Sequence, residues 1–158
     1  MKISSRGQYA IKAMLQLALH EHESPVSLVD ISNVNNISVS YLEQLFSNLR
    51  KDDLIEGVRG PGGGYRLGKS STSISIANIL TAIEDGESKS SAVQNDELSM
   101  VLWEFFTGQL YDYLENITLH DLMDHPDVPK VEIARDTTAQ YIASMFKPTA
   151  ESTGHSFN

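Results

Sequence analysis

Ser40, Tyr41, Glu43, Gln44 and Ser47 fall within one short stretch, and each can donate or accept hydrogen bonds. A glutamine can pair with an adenine edge, and a carboxylate can accept from cytosine N4 while repelling other bases. The stretch carries few charges, whereas a merely solvated helix face is usually rich in Lys and Glu. A polar, sparsely charged face at a helix N-terminus is one that a DNA major groove can read. The competing reading is ordinary surface. Farther on, Arg59 and Arg66 flank the run Gly60-Pro61-Gly62-Gly63-Gly64. With Lys2, Arg6, Arg50, Lys51 and Lys69, Arg66 is a candidate for phosphate contacts, which position a protein without reading sequence.

Other chemistries find less support. Gly63-x4-Gly68-Lys69-Ser70 matches the phosphate-binding loop of nucleotide hydrolases in form. That chemistry needs a strand before the loop and a helix starting at the lysine, yet Tyr65-Arg66-Leu67 reads as a strand within it. His20 and His22 are two apart and share no helix face. His120 and His125 sit among Asp121, Asp124 and Asp127, which reads as a solvated acidic surface rather than a metal site. The chain has 0 cysteines. Disulfides, thiolate catalysis and cysteine-held iron–sulfur clusters are thereby excluded. No metal, cofactor or enzymatic activity is expected.

The elements that must position the polar stretch can be read from caps and periodicity. Ser5 and Gln8 have capping-box spacing for a first helix, with Ala10, Ile11, Met14, Leu15, Leu17 and Ala18 as its apolar stripe and a fade near His22. Ser27 and Asp30 repeat the signal for a short second helix stopping at Asn35-Asn36, since asparagine tolerates the left-handed conformation. Ser38 can cap a third helix, from Val39 to about Lys51, whose Leu42, Leu45, Phe46 and Leu49 form a core stripe. Two short helices around a tight turn make a helix-turn-helix. Leu54–Arg59 and Tyr65–Leu67 are expected as strands of a hairpin, the wing. Ile76, Ile79, Leu80 and Ile83 mark a fourth helix ending at Asp85-Gly86.

A loop over 86–96 then leads to a long helix from Glu97 to about Asn116. Its Leu98, Leu102, Phe105, Phe106, Leu110, Tyr113, Leu114 and Ile117 offer more apolar surface than a small domain needs. Trp103, Phe105, Phe106, Tyr111 and Tyr113 could instead line a ligand cavity, but a dimer seam is preferred, because a long exposed apolar helix needs a partner. Thr118 can cap a last short turn through Leu122 and Met123. The expected organisation is thus a winged helix-turn-helix domain over 1–85, a loop over 86–96, a dimerisation helix over 97–125 and a mobile tail over 126–158. Tyr141, Ile142, Met145 and Phe146 could form one docked turn within that tail. The fold class is mainly α with a small β wing.

The 158 residues carry a formal net charge of -9, which at first argues against nucleic acid. The distribution argues the other way. Residues 1–69 hold 8 of the 12 Lys/Arg against 7 of the 21 Asp/Glu, a net of +1, and residues 70–158 hold 4 against 14, a net of -10. Basic residues gathered on a docking surface suffice for DNA binding in an acidic protein. No apolar run reaches the roughly 18 residues of a membrane span, and no apolar signal core follows Met1-Lys2-Ile3, so a cytoplasmic location is expected.

Several motifs together resemble the IscR-type family of iron–sulfur cluster regulators, which are winged-helix transcription factors. They are Ser4-Ser5-Arg6-Gly7-Gln8-Tyr9-Ala10, Ile37-Ser38-Val39-Ser40-Tyr41-Leu42-Glu43-Gln44-Leu45-Phe46, Val58-Arg59-Gly60-Pro61-Gly62-Gly63-Gly64-Tyr65 and Leu114-Glu115-Asn116-Ile117-Thr118-Leu119. The resemblance covers about residues 1–123. It implies that Ser38, Ser40, Tyr41, Glu43 and Gln44 contact an operator and that Arg59 enters the minor groove. It also implies a homodimer on double-stranded DNA. Cluster-binding members carry three cysteines and a histidine before the long helix. Here that stretch is short and has neither, and Met100 falls about where the histidine would be, so the expectation is a member that has lost its sensor. Control by a protein or small-molecule effector, or an adaptor role for the acidic half, remains open at this point.

Overall fold

In the computed structural model, residues 3–84, 97–130 and 133 are described. Helix α1 spans Ser5–Leu19, and its N-cap is Ser4 rather than Ser5: the Ser4 hydroxyl accepts from the Gly7 amide at 3.0 Å. Adjacent serines offer the same cap chemistry, and tertiary contacts decide between them. Ser4 also donates to Glu84 at 3.2 Å, and Gly7 lies so close to Leu80 that an added Cβ would stand 2.7 Å from it. Gln8 donates to the Ile3 carbonyl at 2.8 Å. The helix stops at Leu19, short of His22, where His20 caps it.

Helix α2 (Leu28–Asn35) is capped by Ser27 and ends on Asn36 in the left-handed conformation, φ 53°. Helix α3 (Val39–Lys51) follows, capped by Ser38, and its Leu42, Leu45, Phe46 and Leu49 are buried as the stripe requires. Strands β1 (Ile55–Val58) and β2 (Gly64–Leu67) pair antiparallel, with Glu56 opposite Arg66 and Gly57 opposite Tyr65. The ladder is shorter in β1 than the apolar run and begins one residue earlier in β2. Gly60 turns the tip at φ 104°, a region side-chain-bearing residues avoid.

Two tertiary links have no counterpart in the sequence reading. Val26 joins the edge of the wing through an isolated bridge, exchanging both backbone hydrogen bonds with Tyr65, at 2.9 and 2.8 Å. Ser75 likewise bridges to Thr118: the Ile76 amide donates to the Ile117 carbonyl and the Leu119 amide to the Ile74 carbonyl, at 2.8 and 2.9 Å. The second bridge fastens the start of α4 (Ile76–Glu84) to the joint between α5 (Glu97–Glu115) and α6 (Leu119–Asp124). A 3-10 turn at Ser71–Ser73 lies within the Ser/Thr connector. Thr118 caps α6 with a full capping box on Asp121.

Within the segment over 97–125, α5 and α6 are separated at Thr118, where the cap of a last short turn is expected, and α6 packs on α1 and the 3-10 turn. Leu119 is fully buried, and Leu114 is 9% exposed in the core of its own chain. Leu110 and Ile117, also expected at a dimer seam, are half-buried against the same core. Ile133, in the stretch expected as a tail, is buried. The loop over 86–96, the Tyr141–Phe146 turn and most of that tail lie outside the described residues.

Candidate nucleic-acid interface

Packing fixes which side of α3 remains available. Its apolar stripe is consumed by the core, so Ser40, Glu43, Gln44 and Ser47 are exposed on the opposite side. The side chains of Glu43 and Gln44 make no hydrogen bond or ion pair with another described residue, so neither side chain is committed to the fold. Ser38 is exposed but occupied as the cap, its hydroxyl accepting from the Tyr41 amide at 3.3 Å. Tyr41 is half-buried and stands edge-on to Tyr9, with ring centroids 5.9 Å apart and planes at 85°. That contact orients the phenol rather than leaving it free. Tyr9 was not among the expected site residues, and no short-range sequence signal links the two.

The wing is held beside α3 by Tyr65, whose ring meets Phe46 edge-on at 4.8 Å, and by the Val26 bridge. Gly64 permits the bridge, since a Cβ there would sit 2.4 Å from the Val26 carbonyl oxygen. Arg59 is exposed at the tip, with no hydrogen bond or ion pair to a described residue. Arg66 is exposed on β2 but its Nε donates to the Glu56 carboxylate, forming an ion pair. Lys69 and Arg50 are exposed, and Lys51 donates to Asn48 at 3.4 Å. Arg6 is half-buried in the first turn of α1. Lys2 lies outside the described residues. Counting back from the turn could have found the Glu56–Arg66 pair, but the Phe46–Tyr65 contact required the fold.

The rejected chemistries can be placed too. β2 runs through the middle of the Gly63–Ser70 pattern, and Ser70 caps only the 3-10 turn, so no phosphate-binding loop exists there. His20 is bonded to the Gln16 carbonyl at 2.8 Å, and His120 lies 3.5 Å from Asp124. Among the described residues no group of three or more His, Cys, Asp or Glu could hold a metal ion. With no thiolate in the chain, the residues present do not fit a cysteine-held iron–sulfur cluster.

Glu21, in the turn that follows α1, accepts from the Ser71 amide at 3.0 Å and the Ser71 hydroxyl at 2.6 Å. Burial pushes its pKa up, but the two Ser71 hydrogen bonds, with His22 and His120 nearby, together hold it below its ordinary value of 4.5. Glu84 accepts from Ser4 and, at 3.0 Å, from the Tyr111 hydroxyl, joining α1, α4 and α5. The base of α5 is thus tied into the domain that carries α3 and the wing.

Beyond that base α5 is exposed. Leu98, Leu102, Phe105 and Tyr113 recur on one helical face and are 63%, 45%, 60% and 66% exposed. Phe106, Val101, Met100 and Trp103 add to this apolar surface. Leu110 and Leu114 lie on the side turned toward the chain's own core. No helix among the described residues is long and apolar enough to cross a membrane.

The profile of the Rrf2 family, described as iron-dependent transcriptional regulator, matches residues 3–125. The HTH-type transcriptional regulator IscR of Pectobacterium atrosepticum is 41% identical over 91% of this chain and 92% of its own length. That of Vibrio vulnificus is 43% identical over 86% and 85%. Among solved structures, the oxidised form of Staphylococcus aureus CymR superposes with a TM-score of 0.69 at 36% identity, covering 80% of this chain and 99% of its own. T. potens IscR superposes with a TM-score of 0.67 at 32% identity, covering 87% and 96%.

Proposed function

This chain belongs to the Rrf2 family of DNA-binding transcriptional regulators, and from that premise we propose that it binds a palindromic operator as a twofold homodimer, without an iron–sulfur cluster. The observation that carries the reading is the uncommitted polar face of α3 lying beside a glycine wing with Arg59 at its tip. Two α3 helices enter successive major grooves, with half-site centres about one helical turn apart. Gln44 pairs with an adenine edge, Glu43 accepts from cytosine N4, and Ser38, Ser40 and Tyr41 complete the contact surface. Arg59 enters the minor groove. Lys2, Arg6, Arg50, Lys51, Arg66 and Lys69 contact phosphates and set register.

The exposed face of α5 supplies the seam through Leu98, Leu102, Phe105, Phe106 and Tyr113. The partner copy covers apolar surface that a monomer would leave in water. The protein acts in the cytoplasm. Footprinting on DNA upstream of its own gene tests the reading, and a protected twofold-symmetric site is expected. Binding with no sequence preference would overturn it.

A second reading keeps the fold and moves control to a partner protein or small ligand. It is favoured by the net of -10 over residues 70–158 and by the absence of thiolates. Gel shifts on the footprinted site, with and without cell extract, separate the two: only the second requires affinity to change.

A further inference from the structure

The wing carries a charge pair of which the operator reading uses only Arg66, leaving Glu56 without a role. Glu56 and Arg66 stand directly opposite in the two-stranded ladder, and their side chains remain 50% and 60% exposed. The carboxylate takes the Nε of Arg66. The guanidinium bonds to no described residue but Glu56, so its terminal Nη groups keep donor capacity at an exposed position while its charge is balanced. We propose that Glu56 is a specificity-determining residue: by neutralising Arg66 it holds down affinity for DNA that is not the operator. The proposal rests on the wing facing DNA as described above.

Binding to arbitrary DNA is driven by the number of phosphates that uncompensated cations neutralise, through counterion release. In the free wing the Glu56–Arg66 rung contributes no net charge, leaving Arg59 as the cation the tip presents to a loosely held duplex. On the operator, base contacts by α3 and insertion of Arg59 fix the wing at close range. There the Nη groups of Arg66 reach a phosphate while Nε stays on Glu56. An exposed pair of this kind adds little to stability, so removing the carboxylate changes the electrostatics and leaves the fold.

The test compares wild type, Glu56→Gln and Glu56→Gln/Arg66→Gln on the footprinted operator and on a scrambled duplex of equal length, across a salt series. Glu56→Gln is expected to bind the scrambled duplex about fivefold or more tighter at 0.1 M salt, with a salt slope steeper by about 0.9 per wing in contact. Operator affinity rises less, so selectivity falls. In the double variant the rung is neutral again and the slope returns to that of wild type. An unchanged slope in Glu56→Gln, a loss of affinity on both duplexes, or a steep slope that persists without Arg66 would overturn the proposal. A wild type that binds both duplexes alike overturns the operator reading instead, and the slopes still decide the role of Glu56.

Discussion

Glu43 and Arg59 probe the two halves of the interface separately, because neither side chain is bonded to another described residue. A carboxylate facing a phosphate-rich duplex is unfavourable unless it has a specific partner, and cytosine N4 supplies one. Where that partner is missing, the unpaired charge costs about 1–3 kcal/mol. Glu43→Ala is therefore expected to relax specificity more than it lowers affinity. The measurement is binding to operators with the cytosine changed, at one salt concentration. Equal loss on every site would mean that Glu43 serves the helix and not the code. Arg59→Ala should weaken operator binding about tenfold or more, with an unchanged circular dichroism spectrum, since the side chain is exposed at the wing tip. Unchanged affinity would remove Arg59 from the interface.

Between elements, the decisive contacts join segments far apart in sequence. Gly64→Ala would drive a Cβ to 2.4 Å from the Val26 carbonyl oxygen, a backbone atom that cannot swing aside. The bridge must open, and a loss of about 1–3 kcal/mol is expected in denaturant unfolding. A Gly64→Ala protein as stable as wild type would show that the bridge contributes nothing. Glu21 ties α1 to the 3-10 turn through Ser71. Its folded-state pKa is depressed, so the stability it contributes is full above its unfolded pKa and is lost as pH falls through the folded one. Glu21→Gln should cost about 1–2 kcal/mol at pH 7. The gap between the two proteins should close as pH falls below the ordinary carboxylate value. A gap that is constant from pH 7 to pH 3 would sink this account.

For the whole molecule, α5 has two sides with different expected roles. Phe105→Asp places a charge on the exposed side, where it should leave each chain folded and abolish dimerisation, read by sedimentation velocity, with operator affinity falling in parallel. Leu114→Ala acts on the buried side. It should lower stability by about 2 kcal/mol or more through the cavity it leaves, without shifting the monomer–dimer balance of the folded protein. If both variants dissociated the dimer without unfolding it, the division of α5 into seam and core would be wrong. Protein purified without oxygen should also be colourless and iron-free. A stoichiometric iron–sulfur absorbance band would contradict the donor set of this chain.

Much of this protein is local and therefore legible in its sequence. The apolar stripe of α3, the left-handed Asn36, the glycine turn of the wing and the Thr118 cap depend on residues a few positions apart, and each appears where the spacing puts it. The polar side of α3 follows by elimination, because a helix that buries Leu42, Leu45, Phe46 and Leu49 must turn Glu43 and Gln44 outward. What spacing could not reveal depends on which distant segments meet. Ser4 rather than Ser5 caps α1 because Glu84 and Leu80 lie against that turn. Tyr41 is steadied by Tyr9, and the wing leans on Val26 and Phe46. The apolar surface of the long helix reads as a single stripe in sequence. The pairing of Ser75 with Thr118 roots the base of that helix in the winged domain, turning Leu114 into the core while Phe105 stays in solvent. Hydrophobicity set the amount of surface to be covered, and chain topology decided which part each neighbour covers.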